Sequence, residues 1–255
     1  MSVMVDPERW REKCVVAYLD EPPYFMPVPG TDPTGCDIEV TQMVLHRLGV
    51  GDVEFVLTKF GELIDGVLTR RWHLNTPMFV TKKRSCLVRF SAPVWAAIDS
   101  FIVRADDDRD FTSYESIAAD DTVRLAAVTG QIQVDTALAV GMPRERVIEF
   151  DDQDTAARAV LNGLVDASVS TAPGNAAHVA RLADPRLISV ADARADERGG
   201  VALGAFSFHH DSNGLADAFD ARLLAVLGTP AHLAMMARYG LEETAIRPAL
   251  DAIHG

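Results

Sequence analysis

Apolar positions along this chain alternate between two periods. Short β-branched or aromatic runs are separated by stretches in which apolar residues recur every three to four positions, the pattern of an α/β protein with a largely parallel sheet. Strands are predicted at Val15 to Leu19, Val53 to Leu57, Leu74 to Phe79, Phe101 to Val103 and Arg124 to Val128. Further strands are predicted at Val147 to Phe150, Ala167 to Ser170, Leu187 to Val190 and Ala205 to Phe208. Helices fill the intervals: Ile38 to Leu48 behind an Asp37 cap, Gly61 to Thr69, and Asp154 to Leu161. Near the end, Leu215, Phe219, Leu223 and Leu227 form one apolar face stopped by Gly228, and Thr229-Pro230 opens a helix closed by Gly240.

Two polar stretches interrupt this rhythm, Ala105 to Tyr114 and Ala191 to Gly200. Two crossings between two lobes explain both. The expected organisation is a discontinuous first lobe of residues 12–98 plus 201–255, a second lobe of 104–195 inserted into it, and an N-terminal extension of 1–11.

With 255 residues and 48% hydrophobic content the chain can bury a sizeable core. A net charge of −13 supplies no basic stripe, which argues against nucleic-acid or anionic-membrane partners. No apolar run approaches the roughly 18 residues needed to span a bilayer. The opening MSVMVDPERWREK has no apolar core of a signal peptide, so the expected address is cytoplasmic as the sequence stands, and periplasmic or extracellular if a leader was trimmed. Cys14, Cys36 and Cys86 are odd in number and far apart, so neither a disulfide framework nor a metal site is expected, and no cofactor. A monomer is expected.

The stretch from Leu74 to Trp95 carries the most chemistry. Thr81 suits a helix N-cap, and Lys82, Lys83 and Arg84 then fill a first turn where cations are disfavoured by some tenths of a kcal/mol each. An anion docked between the Thr81 hydroxyl, the backbone N–H groups and the forked Arg84 guanidinium would reverse that penalty. Lys82 and Lys83 read as solvated; Arg84 reads as the anion ligand.

The ordered set DEPPYF (20–25), TGCDIEV (34–40), FVTKKR (79–84), RFSAPVW (89–95), NGLVDA (162–167) and GTPAHLAMMARYG (228–240) resembles the family-3 extracellular solute-binding proteins, receptors of ABC importers for polar amino acids. The resemblance runs from about Cys14 to Tyr239. It implies a type II periplasmic-binding-protein-like fold: two α/β lobes, two hinge crossovers, a ligand enclosed between them, and an ABC importer permease as partner. Position by position, it makes Arg84 the carboxylate-binding arginine, with Thr81 at the start of the same helix and Thr76 and Phe79 on contact positions of the strand. Glu21 and Tyr24 fall in the first loop. Tyr24, Phe60 and Phe79 could wall a ligand cation, each contributing ~0.5 to 2 kcal/mol if desolvated, with Glu21 as countercharge. For Phe60 and Phe79, core packing is an equal alternative.

The departures matter as much. Thr171 stands where such receptors carry the aspartate that pairs with an α-ammonium, and Gly130-Gln131-Ile132 replaces a Gly-Thr-Thr loop. Asp166 reads as structural. An ordinary primary ammonium would lack its partner, so a carboxylate-bearing solute with a diffuse or alkylated cation fits better. The alternative is a cytosolic cyclohexadienyl-dehydratase-like lyase on the same fold, with Glu21, Asp20 and His73 as acid/base candidates. The binding-protein reading is preferred, and no catalytic residue is assigned. His73 reads as a hydrogen-bonded structural residue, His209-His210-Asp211 as a solvated run, and Cys86 as a packing thiol.

Overall fold

The structure is a computed structural model that describes residues 4–254. The strands in chain order are β1 (Lys13–Tyr18), β2 (Asp52–Leu57), β3 (Leu74–Phe79), β4 (Arg89–Phe90), β5 (Trp95–Ala97) and β6 (Asp99–Arg104). They continue with β7 (Leu125–Val128), β8 (Val147–Phe150), β9 (Ala167–Thr171), β10 (Leu187–Ala191) and β11 (Ala202–Phe208). The helices are α1 (Cys36–Arg47), α2 (Leu63–Leu68), α3 (Lys82–Ser85), α4 (Tyr114–Ala119) and α5 (Ile132–Ala139). After them come α6 (Gln153–Leu161), α7 (Ala172–Leu182), α8 (Asn213–Leu224), α9 (Pro230–Arg238) and α10 (Glu243–His254). No helix among the described residues is long and apolar enough to cross a membrane.

The chain divides into two compact units, one of Met1–Ala96 with Ala202–Gly255 and one of Ala97–Val201. In the first, the sheet runs β2-β1-β3-β11-β4, with β5 on β11; β1 is parallel to β2 and β3, and β11 is antiparallel to β3 and β4. β3 lies between β1 and β11 and is buried at every position, whereas the edge strand β2 leaves Leu57 exposed. Pro77 sits in this central strand, where a missing N–H ought to break the ladder. Pairing of β3 with β1 stops at Asn75, and the β3–β11 register shifts between Ala205 and Ser207, so the ladder is interrupted around the proline. The buried Asn75 amide is satisfied by accepting from the Trp72 indole at 2.5 Å and donating to Ser207 Oγ at 2.9 Å.

In the second unit the order is β10-β6-β9-β7-β8, with β6 antiparallel to both neighbours and β7 parallel to β8 and β9. Side-chain alternation divides its core into two layers: Phe101, Val103, Leu125 and Ala127 pack on one face with Tyr114 and Ile117, while Ile102 and Ala126 pack on the other with Ala157 and Val160. Strand β6 and both polar stretches, 105–114 and 191–200, lie inside this unit.

Some local expectations change. α1 begins at Cys36 with Gly35 as its N-cap, so Asp37 is a buried helical residue and not the cap. The segment after Lys59 is a single 3-10 turn, Phe60–Glu62, before α2, and α6 is capped by Asp152. The N-terminal segment is tied to the first unit: Val5 N–H donates to Arg70 O at 2.7 Å, and Trp10 is buried.

His73 is structural. Its Nδ1 accepts the Val15 N–H at 2.9 Å, which leaves Nε2 to carry the proton and donate to Asp6 O at 3.1 Å. Burial lowers its pKa from 6.5. The unfolded chain therefore takes up a proton that the folded one refuses, and stability is lost as pH falls below about 6.5. His73→Asn, which keeps an acceptor for Val15 but cannot titrate, is expected to show a flatter decline in urea midpoint between pH 7 and 5 than the wild type; an identical slope would exclude this role.

Candidate ligand-binding site

The first unit gathers most of the predicted site residues around the end of β3 and the loop after β1. That loop is a tight turn: Glu21 N–H donates to Phe25 O at 2.9 Å, and the N–H groups of Tyr24 and Phe25 return to Glu21 O at 3.1 Å each. It docks on the start of α1, whose first N–H groups need acceptors. Cys36 and Asp37 donate to the carbonyls of Pro23 and Tyr24 at 3.1 and 3.0 Å. Gly35 makes this approach possible, because its φ is +131° and a Cβ there would stand 2.2 Å from Tyr24 O. Glu21 and Tyr24 are thereby fixed, both largely buried.

Tyr24 packs on Trp95 with ring centroids 4.8 Å apart, and Phe79 meets the same indole edge-on at 5.5 Å. The Trp95 N–H points at both oxygens of Asp37, 3.1 Å from each. Burial pushes the Asp37 carboxyl up to about 8, and the nearby Glu21 adds to this, while donation from Trp95 and from the Cys36 thiol at 3.6 Å opposes it. Its folded pKa thus lies above the unfolded value of 3.8, so the carboxyl holds its proton at neutral pH and costs stability as pH rises from about 4 to 8.

Past β3, Thr81 is an N-cap as expected, its Oγ1 accepting the Arg84 N–H at 3.1 Å. The helix it caps is a single turn, Lys82–Ser85, too short to carry much dipole, so the electrostatic anomaly inferred from three cations in a first turn does not hold. Arg84 is nonetheless only 6% exposed, while Lys82 and Lys83 are exposed. Its Nη1 donates to Phe79 O at 2.7 Å and its guanidinium lies over the Phe60 ring, 5.1 Å from the centroid. Phe60 is therefore a platform for the protein's own cation. Thr76 is fully buried, and its Oγ1 has no hydrogen-bond partner among the described residues, an arrangement that costs about 1–3 kcal/mol.

Gln131 and Thr171 belong to the second unit. Both are buried N-cap residues: Gln131 precedes α5, and Thr171 Oγ1 accepts the Gly174 N–H at 3.1 Å at the start of α7. Asp166 is held by Arg109 at 2.7 Å and by the Arg124 N–H at 2.8 Å, a structural role. Cys86 is exposed and not packed, because α3 ends before it. His209 accepts the Asp211 N–H at 3.1 Å and His210 is exposed; no group of three or more potential metal ligands occurs among the described residues. Sequence reasoning missed the pairing of Trp95 with Asp37, although both residues lie in motifs of the resemblance.

The model for bacterial extracellular solute-binding proteins, family 3, matches residues 14–240. The chain belongs to that family. As a family-3 solute-binding protein it has a curated relative in Sinorhizobium fredii (strain NBRC 101917 / NGR234), a probable amino-acid ABC transporter periplasmic-binding protein, y4tE. The two are 27% identical over 244 residues, 94% of this chain and 80% of the relative. Among solved structures, EhuB in complex with hydroxyectoine superposes with a TM-score of 0.86 at 23% identity, covering 95% of this chain and 93% of that one. A mutant of ArgBP from T. maritima gives 0.79 at 21% identity, covering 91% and 96%. The fold of this family-3 protein is thus the type II periplasmic-binding-protein fold, mixed α/β with two sheets flanked by helices.

Gly35→Ala is expected to destabilise the protein by about 2 kcal/mol or more in urea unfolding, since a backbone clash and a positive φ both oppose it. A stability within about 0.5 kcal/mol of wild type would contradict the docking of the first loop on α1.

Proposed function

We propose that this solute-binding protein takes a small solute bearing a carboxylate together with a delocalised or alkylated cation, and delivers it to an ABC importer permease. The observation that carries the reading is the Arg84 guanidinium, nearly buried, held by Phe79 O and stacked on Phe60. A planar fork pre-set in this way favours bidentate recognition of a carboxylate, and little rotamer freedom remains to be lost on binding. The buried Thr76 hydroxyl offers a further polar contact. At the other end, Glu21 supplies charge and the Tyr24 and Phe79 rings, set against Trp95, supply π faces for a cation that hydrogen-bonds poorly.

Thr171 supports the choice of cation. Its hydroxyl caps α7, and no carboxylate occupies that position to meet a primary ammonium. The same substitution weakens the lyase alternative, which needs an acid there. Hydroxyectoine, the compound bound in the EhuB structure, has this chemistry, a carboxylate on a cyclic amidinium, and arginine, with its guanidinium, is the natural comparison. A periplasmic or extracellular address goes with this reading.

Thermal-shift titration tests it. A true ligand at ~100 times its Kd stabilises by roughly 2.7 kcal/mol, so hydroxyectoine is expected to raise Tm and Arg84→Ala to weaken binding by ~30-fold or more. Arg84→Lys, which keeps the charge without the fork, is expected to fall between them. Full affinity in a folded Arg84→Ala variant would overturn the carboxylate clamp.

A further inference from the structure

Tyr24, Phe79 and Asp37 come from three separate stretches of chain, and Trp95 is where they meet. Its ring packs against Tyr24 at 4.8 Å with planes 32° apart and against Phe79 at 5.5 Å with planes 75° apart. Its N–H is shared between the two Asp37 oxygens at 3.1 Å. The ring also lies against the β11 backbone, where a Cβ on Gly204 would come within 2.3 Å of it. Held on all these sides, the indole is 4% exposed and has one available orientation.

The geometry points to Trp95 as the positioning residue that sets the Tyr24 and Phe79 rings for the cation in the site proposed above, with Asp37 holding it in turn through the indole N–H. The inference rests on that reading of the site. With Tyr24 stacked on the indole and the Gly204 backbone against it, Trp95 acts through its neighbours: the angles of Tyr24 and Phe79 are both set against it, so the aromatic wall is shaped by one ring. Asp37 acts on that ring through geometry: its oxygens fix the indole plane, and a change in its charge changes the hydrogen bond that holds the ring.

The groups facing Asp37 are few. The Cys36 thiol on α1 is held protonated by burial, Glu21 faces it from the first loop, and Trp95 brings a neutral donor from β5. The carboxyl ionises near pH 8 in the free protein, and a bound cation favours its charged form. Affinity for a cationic solute therefore rises with pH through that range, with a proton released on binding.

Calorimetric titration of hydroxyectoine at about pH 6.5 and about pH 9 tests this, with wild type, Trp95→Phe, Asp37→Asn and Arg84→Ala compared. Wild type is expected to bind several-fold tighter at the higher pH, Asp37→Asn to lose that dependence, and Trp95→Phe to bind roughly tenfold more weakly at both. Ligand-induced change in tryptophan emission is expected to vanish in Trp95→Phe and persist in Trp10→Phe. Wild-type affinity in Trp95→Phe, or a wild-type pH slope in Asp37→Asn, overturns the inference. If Arg84→Ala loses binding in the same series, the site reading survives that outcome; if Arg84→Ala binds like wild type, the site reading itself fails. Should Trp95→Phe not fold by circular dichroism, the pH slope of Asp37→Asn decides. A wild type that binds no hydroxyectoine overturns both.

Discussion

Pro77 cannot donate a backbone hydrogen bond, and the first unit is organised around that lack. β3 is the central strand, buried on both faces, yet its pairing with β1 ends at Asn75 and its register with β11 shifts opposite the proline. A ladder that stops inside a sheet leaves side chains and backbone carbonyls available for other work. Here the next residues are Thr76, with an unsatisfied buried hydroxyl, and Phe79, whose carbonyl anchors Arg84 at 2.7 Å.

The energetics of the site follow from burial. Arg84 is nearly out of solvent, and a buried guanidinium is tolerable only with its donors and its π face engaged; Phe79 O and Phe60 are among its partners. Asp37 solves the opposite problem by keeping its proton, so that a fully buried carboxyl can accept from Trp95 without the full cost of a buried charge. Within one unit, one buried group stays charged and one stays neutral.

Much of this was legible in the sequence, for different reasons. Thr81 as a cap and the strand Leu74–Phe79 are local patterns, and both stand as read. The strand positions of the second unit also stand, because period-two alternation at Phe101, Ile102 and Val103 separates its two core layers. The electrostatic argument at Arg84 failed because helix length is not local: one turn forms, and the dipole with it is small. Helix α7, given no range from the sequence, has Pro173 and Gly174 among its first residues, where a proline is tolerated. Phe60 was read as a wall for the ligand, whereas only the folded chain shows that Arg84 lies over its ring. The pairing of Asp37 with Trp95 spans 58 residues, and no spacing rule reaches that far.

The most direct measurement is a crystal structure of the protein with hydroxyectoine. The account predicts the carboxylate within hydrogen-bond distance of the Arg84 guanidinium, roughly 2.7–2.9 Å, and the amidinium against the Tyr24 and Phe79 rings with Glu21 beside it. A solute seated elsewhere, or one whose carboxylate avoids Arg84, would contradict it.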